Sequence, residues 1–262
     1  MRILLLLSGN VELNPGPNQQ LGTDQSVYEN FNCRGMHFFH LNINSILPKI
    51  DELRIIAKEI NPSIIGLTET KIDNNVNDEE IQISGYNIER ADRDRRGGGV
   101  ACYIRSDLSY NVRNTFSDEI ENIFVDIMLR KTKSISGVVC RTPDKSEFFE
   151  LFSEAISNSK DFDNQEVYIL GDFNVNVLEC SNVSKKYEEL CSLRGLKQVI
   201  ETYTRITENS STLIDHILTN SVETLSQSGV LEIALSDHYA IYCTRKFQKQ
   251  KYHKQKFITV RS

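Results

Sequence analysis

The chain has 262 residues and a mass of 30.0 kDa, the upper end of a single domain's range or room for two. Hydrophobic residues make up 39% before 13 Gly are counted, which excludes a wholly disordered chain and a collagen, and the longest apolar run, residues 3–7, falls far short of the ~20 a membrane span needs. The net charge of −6 hides an asymmetry: residues 245–262 hold seven basic groups and no acid, so the other 23 basic residues face 36 acidic ones, a net −13.

Residues 1–34 form a leader without helix or strand periodicity: a short apolar run, Asn14-Pro15-Gly16-Pro17, then a stretch rich in Asn and Gln. The apolar run is too short to support a secretory signal. From Met36 the pattern turns α/β. Residues 36–42 read as a strand. Residues 46–60 read as a helix, with Pro48 near its start and Ile50, Leu53, Ile56, Ala57 and Ile60 on one face. Strands follow at 63–67 and, after a tight turn at Gly97-Gly98-Gly99, at 99–104; no G-K-[ST] follows those glycines, so they are not a phosphate loop. Residues 122–129 and 134–140 read as an antiparallel pair. Ser146 is the expected cap of a helix running to Ser157, and 167–170 is another strand. A helix spans 187–193 and ends at Gly195; strands return at 216–218 and 239–243. The mixture of hairpin-like pairs and helix-connected strands predicts mixed sheets packed face to face with helices outside. Six Cys lie without any C-x-x-C pair, which reads as reduced thiols and an intracellular compartment. The basic segment 245–262 is read as a linker or tail that touches phosphates, or as a solvated linker.

Several apolar runs end abruptly in an acid or an amide. They lead into Asn42-Ile43-Asn44, Thr68-Glu69, Gly171-Asp172-Phe173-Asn174 and Ser236-Asp237-His238, while Asp215 sits inside a fifth run. Strand ends in α/β proteins converge on ligand sites, so these groups are candidates for one mouth. Each taken alone also reads as a polar residue where a wet loop begins. If Glu69, Asp172, Asp215 and Asp237 converge, their mutual repulsion calls for a cation, and all-oxygen ligands favour Mg²⁺ or Mn²⁺ over zinc. Such a site with Asn donors and a His suits phosphate-ester chemistry.

The residues that carry this pattern, LNINS (41–45), LTET (67–70), RGGGVACYI (96–104), GDFN (171–174), the TRIT to TLIDHI run (204–217) and SDH (236–238), resemble the endonuclease/exonuclease/phosphatase superfamily. The ordered set is similar to the apurinic-type endonuclease domain of non-LTR (LINE-type) retrotransposons, over residues 35–244. The resemblance implies a four-layered α/β sandwich and Mg²⁺-dependent phosphodiester hydrolysis. It also implies roles. Asn42 and Asn174 hold the scissile phosphate. Glu69 is the main metal ligand, with Asn44 and Asp237 beside it. Asp172 orients or deprotonates the attacking water. His238 contacts the phosphate, and Asp215 orients His238. Thr204 and Ser236 support them, or simply cap local backbone. His216 is expected to point away from Asp215's side of its strand, and His40 to pack within its own.

One position departs from the family pattern. Cys140 stands where the resemblance expects a Tyr, and the strand's end there predicts that it faces the cleft. A thiol is a shorter and weaker donor. The leader's Gly9-Asn10-Val11-Glu12-Leu13-Asn14-Pro15-Gly16-Pro17 resembles ribosome-skipping peptides, with Asn10 where their pattern has Asp; it also reads as a Pro-Gly turn. Taken together, the expected function is an endonuclease that nicks target DNA and leaves a 3′-hydroxyl to prime reverse transcription. Its expected partner is DNA, with no membrane, as a monomeric unit of a longer polyprotein that includes a reverse transcriptase, nuclear where it acts. Two alternatives stay open: a phosphoesterase of another branch of the fold, of inositol-phosphate type, and a catalytically weakened or dead nucleic-acid-binding copy, which Cys140 favours.

Overall fold

The computed structural model describes residues 31, 33–113, 119–129, 132–143, 145–159 and 161–247. The leader's skipping-like peptide and the tail beyond Phe247 lie outside the described residues. Strand periodicity explains the layering. In β1 (Gly35–Asn42), Met36 and Phe38 face one side, while Phe39 and Leu41 face the other. Both sides are buried, so the strand has a core on each face.

The remaining strands are β2 (Ile64–Thr68), β3 (Tyr86–Ala91), β4 (Val100–Arg105), β5 (Tyr110–Val112), β6 (Glu121–Met128), β7 (Lys133–Cys140) and β8 (Glu166–Asp172). They continue as β9 (Lys197–Gln198), β10 (Arg205–Ile206), β11 (Ser211–Thr212), β12 (Asp215–Thr219), β13 (Leu225–Leu231) and β14 (Ala240–Lys246). One six-stranded sheet has the order β13-β14-β1-β2-β4-β3 and the other β5-β6-β7-β8-β12-β9, while β10 and β11 form a separate hairpin. Each sheet is mixed, with one parallel pair inside it, β1/β2 and β7/β8.

The inner faces meet through Phe38, Ile64, Val100 and Ile104 from one sheet and Ile123, Val125, Val138, Leu170 and Ile217 from the other. Helix α1 (Ile50–Ile60) lays Leu53, Ile56, Ala57 and Ile60 on the outer face of the first sheet. The short α2 (Asp78–Ile81) seals the same layer with Ile81. Helices α3 (Phe148–Asn158) and α4 (Asn182–Leu193) cover the second sheet with Phe148, Phe152, Tyr187 and Leu190. The result is the expected four-layered α/β sandwich.

The differences from the sequence reading have local causes. The helix expected from residue 46 opens as a 3₁₀ turn, Leu47–Lys49, and becomes α only at Ile50. Ser146 does not cap α3; the cap position is Glu147, whose side chain makes no cap bond. Helix α4 starts earlier than residue 187, because Ser181 and Ser184 form a reciprocal capping box over a polar first turn. Arg245 and Lys246, grouped by charge with the tail, are the last residues of β14, and the Arg245 guanidinium forms a bidentate ion pair with Glu166. Phe31, grouped with the leader, packs its ring 4.9 Å from Tyr242.

This topology decides where the chemistry sits. β1, β2, β7 and β8 end at the same edge that β4, β6, β12 and β14 start from, as their registers require. Asp215 pairs with Asp172, Asp172 with Cys140 and Cys140 with Glu121 across one sheet; Asn42 pairs with Thr68, and Thr68 with Val100, across the other.

Candidate active site

The loops at this edge are strained and stitched together. Among the described residues, six non-glycine residues have positive φ; Asn61 ends α1, and the other five are Asn44, Ser45, Glu69, Lys71 and Asn174. Such backbone costs about 1–3 kcal/mol per residue and persists only where the surroundings over-determine it. Here they do. Ser45 N–H donates to Glu69 O at 2.8 Å, Ile46 N–H to Thr70 O at 3.0 Å, and Lys71 N–H to Gly98 O at 3.0 Å. Asn174 N–H donates to Asp172 Oδ1 at 2.9 Å.

At the floor of the mouth lie Asp172, Asp215 and His238, only 2%, 0% and 4% exposed, with one ligand atom of each within 4.8 Å of the others. Asn42 Nδ2 donates to Asp172 Oδ2 at 2.9 Å, a bond between the two sheets. Asp215 Oδ2 is 2.8 Å from His238 Nδ1, and Asp215 Oδ1 is buried with no hydrogen-bond partner among the described residues. Thr204 locks this pair from behind. Its Oγ1 accepts the N–H groups of Ile214 and Asp215, both at 3.1 Å, and its carbonyl accepts Tyr239 N–H at 2.7 Å. Burial, reinforced by the charge of Asp215, pushes the Asp172 carboxyl up to about 7, against the pull of His238, Asn42 and the Asn174 N–H. Burial alone would lower His238. The charge of Asp215 and its hydrogen bond, with Asp172 and Asp237, reverse that and raise it. The floor therefore holds a carboxyl that exchanges a proton near neutrality beside an imidazole biased toward its cation.

The rim holds the second set. Asn44 Nδ2 donates to Asp237 Oδ1 at 3.2 Å, and Asn44 N–H to Asn42 Oδ1 at 3.1 Å, so rim and floor share the Asn42–Asn44 segment. Lys71 Nζ donates to Asn44 Oδ1 at 2.5 Å and lies 3.9 Å from Glu69 Oε2. Arg205, on the β10/β11 hairpin, donates from Nε and Nη2 to Asp237 Oδ2. Burial raises the Asp237 carboxyl, but His238, Arg205 and Asn44 outweigh it and hold the group below the ordinary range. Ser236 Oγ sits 3.3 Å from Asp237 Oδ1 and accepts His238 N–H at 3.4 Å, long bonds of a local turn.

A family model described as Endonuclease/Exonuclease/phosphatase family matches residues 31–238. The chain belongs to that family. Solved structures agree on the fold. The endonuclease domain of TRAS1, a telomere-specific non-LTR retrotransposon, superposes with a TM-score of 0.66 at 16% identity, covering 81% of this chain and 99% of that one. The 3′–5′ exonuclease NExo from Neisseria meningitidis gives 0.64 at 18% identity, and an AP endonuclease from Archaeoglobus fulgidus 0.62 at 17%; each covers 81% of this chain and 100% of the other. No curated protein matches the chain by sequence.

Within this nuclease and phosphatase family, all ten residues expected at the site lie at one edge, divided between floor and rim. Asn42, Asp172, Asp215 and His238 make the floor, with Thr204 behind. Glu69, Asn44, Asp237 and Ser236 make the rim. Asn174 joins the floor through its backbone, while its Nδ2 donates to Arg141 O at 2.7 Å. His216 points to the far side, as expected, stacked on Phe173 at 5.5 Å and bonded to the Tyr187 hydroxyl at 2.6 Å. Cys140 lies at the mouth as expected, on the same face as its register partner Asp172 and lining the cavity beside Glu121 and Arg93, but it is only 3% exposed. Its side chain is buried between the sheets, where burial first and the neighbouring carboxylates second drive its thiol pKa up. Alternation along β7 turns it inward with Val138.

Four charged groups at this edge went unread in the sequence: Lys71, Arg93, Glu121 and Arg205. Glu121 opens β6 and accepts Gly99 N–H at 2.7 Å, and Arg93 follows β3. Lys71, which directly follows LTET, and Arg205, inside the TRIT run, carried a visible signal. Family members are typically dependent on a divalent metal. The donors present, carboxylates and amides without a Cys or His cluster on the rim, suit a hard cation. The Lys71 ammonium between Asn44 and Glu69 marks a position that already attracts positive charge.

Proposed function

We propose that the protein is a metal-dependent DNA endonuclease that nicks one strand of a duplex and leaves a 3′-hydroxyl. The observation that carries this reading is the floor itself: an Asn42–Asp172 pair from two different sheets, facing an Asp215–His238 pair, both buried and both rigidly held. The TRAS1 domain's likeness in fold supports the placing of this activity in a retrotransposon setting, with DNA as partner.

In this reading Asp172 takes the proton of the attacking water, which its raised pKa permits near pH 7. Asp215 fixes the His238 ring through Nδ1, which leaves Nε2 to donate to the phosphate oxygens as charge develops there. Asn42 and Asn174 align the phosphate. Glu69, Asn44 and Asp237 would hold Mg²⁺ or Mn²⁺, which when bound would offset charge on the phosphate and its leaving oxygen. The basic segment after β14 reaches neighbouring phosphates without reading bases.

The experiment is supercoiled plasmid with purified protein and Mg²⁺. The expected product is open-circular DNA with a 3′-hydroxyl that a polymerase extends. Cleavage that continues in EDTA refutes the metal. A protein that instead removes a 3′-phosphate without nicking belongs to the phosphatase branch of the fold.

A further inference from the structure

The three glycines before β4 form a cradle for one side chain. A Cβ at Gly97 would lie 2.7 Å from Arg93 Nη2, and one at Gly98 would overlap the guanidinium itself; Gly98 also has φ +74, which disfavours any other residue. Arg93 is pinned on two edges. Its Nε donates to Gly97 O at 2.7 Å, and its Nη1 to Glu121 Oε1 at 2.5 Å. The other Glu121 oxygen accepts Gly99 N–H, and Glu69 Oε2 accepts Gly98 N–H at 2.9 Å. Arg93 Nη2 makes no hydrogen bond to a described residue, and the side chain is 39% exposed. It lines a cavity of about 640 Å³ with Glu121, Cys140, Thr142 and Lys145, within electrostatic reach of Glu69 and Cys140.

We propose that Arg93 is a substrate-binding residue whose Nη2 edge donates to a non-bridging phosphate oxygen of the DNA strand lying over Glu69. The inference rests on the phosphodiesterase reading above and adds the donor on one flank of the phosphate. Three other cations at this edge are engaged, while Lys145 shares the cavity with Arg93. Lys71 serves Asn44 and Glu69, Arg205 meets Asp237 through two nitrogens, and Lys49 Nζ donates to the carbonyls of Ile43 and Asn44. Cys140, on the same flank, is a buried thiol and a poor donor. A guanidinium held flat on two acceptors has lost its rotamer freedom before the substrate arrives, so a phosphate meets it ready-made. Glu121 then acts as a positioning residue. It holds both Arg93 and the glycine turn, and through that turn the Glu69 carboxylate.

The test compares wild type, Arg93→Ala and Arg93→Lys in two assays: plasmid nicking over a Mg²⁺ series, and binding of a fluorescent duplex oligonucleotide in EDTA over a salt series. Arg93→Ala is expected to lower the nicking rate about 100-fold, and to reduce the salt slope of binding by about 0.9, one phosphate contact. Half-saturating Mg²⁺ should stay within about twofold, and added guanidinium ion should restore part of the rate to Arg93→Ala only. Arg93→Lys should keep the salt slope and lose part of the rate. An unchanged salt slope in Arg93→Ala overturns the proposal. So does a rate loss that tracks a raised Mg²⁺ requirement and resists guanidinium, since Arg93 would then serve only to hold Glu69. A wild-type protein that cuts no DNA refutes the phosphodiesterase reading instead, and the binding assay, which needs no turnover, still decides the Arg93 contact.

Discussion

Asp172 and Asp237 are both aspartates at the sheet edge, within reach of the same histidine, and their surroundings drive them apart. At Asp172 burial dominates and the carboxyl rises to about 7. At Asp237 the same penalty is outweighed by His238, Arg205 and Asn44, and the carboxyl falls. Residue type does not separate them; solvent and partners do. The floor is dry and has few counter-charges, so its groups sit where protons move. The rim is more exposed and cation-rich, so Asp237 is held in its charged form. Four predictions test that division.

The largest effect concerns acid stability beneath the floor. Burial lowers His40 and His216 from 6.5 to about 4. Each is neutral in the fold and protonates more readily when unfolded. Their contribution is fully present above about pH 6.5 and is lost as pH falls toward 4, about 3 kcal/mol per histidine. Asp172 has the opposite sign: its raised pKa makes the fold bind a proton first, so it gains stability as pH falls from about 7 toward 3.8. Denaturant melts at pH 7 and 4.5 should show a net loss in acid, steeper in Asp172→Asn, which cannot titrate. An equal loss in that variant would mean Asp172 is an ordinary solvated carboxylate, and a shallower one that its pKa is lowered in the fold.

Floor variants come next. Asp172→Ala and His238→Ala should each reduce nicking at least about 100-fold, about 2.7 kcal/mol in the barrier, with circular dichroism unchanged. If both cut at the wild-type rate, the floor is not the reaction centre.

Third is Cys140→Tyr. Position 140 lines the cavity beside Arg93, but its side chain is only 3% exposed and packs with Val138 between the sheets. Overpacking should cost about 1–3 kcal/mol and lower the melting temperature without raising the nicking rate. A faster enzyme with an unchanged melting temperature would mean that the ring reaches the neighbouring cavity and serves the phosphate.

The division was partly legible beforehand. Apolar runs ending in acids and amides pointed to one edge, because strand periodicity and parallel pairing place strand ends together. The floor's partners followed from motif resemblance. What stayed hidden depends on long-range geometry. Glu121 meets Gly99 22 residues away. Arg245 looked like tail charge until Glu166, 79 residues off, neutralised it. β13 reads LSQSGVL, without an apolar run, and as an edge strand it needs none.

The smallest effect should come from the rim. Arg205 and Asp237 have side chains 42% and 41% exposed, and an ion pair at that exposure contributes about 0–1 kcal/mol to stability. Arg205→Ala should therefore leave the melting temperature nearly unchanged. Its consequence lies in geometry. Without Arg205, Asp237 keeps the Asn44 amide at 3.2 Å and the pull of His238, so it stays ionised but less firmly placed. The rate should fall by about tenfold or less, and most of the loss should disappear at high Mg²⁺, because a looser carboxylate still binds the ion once enough is present. On the proposed reading, in which Asp172 and His238 act on the water and the phosphate themselves, the same substitution logic at the floor gives a loss that no Mg²⁺ concentration repairs. If Arg205→Ala instead loses 100-fold at every Mg²⁺ concentration, the hairpin reaches the reacting phosphate directly, and the rim is as much a part of the chemistry as the floor.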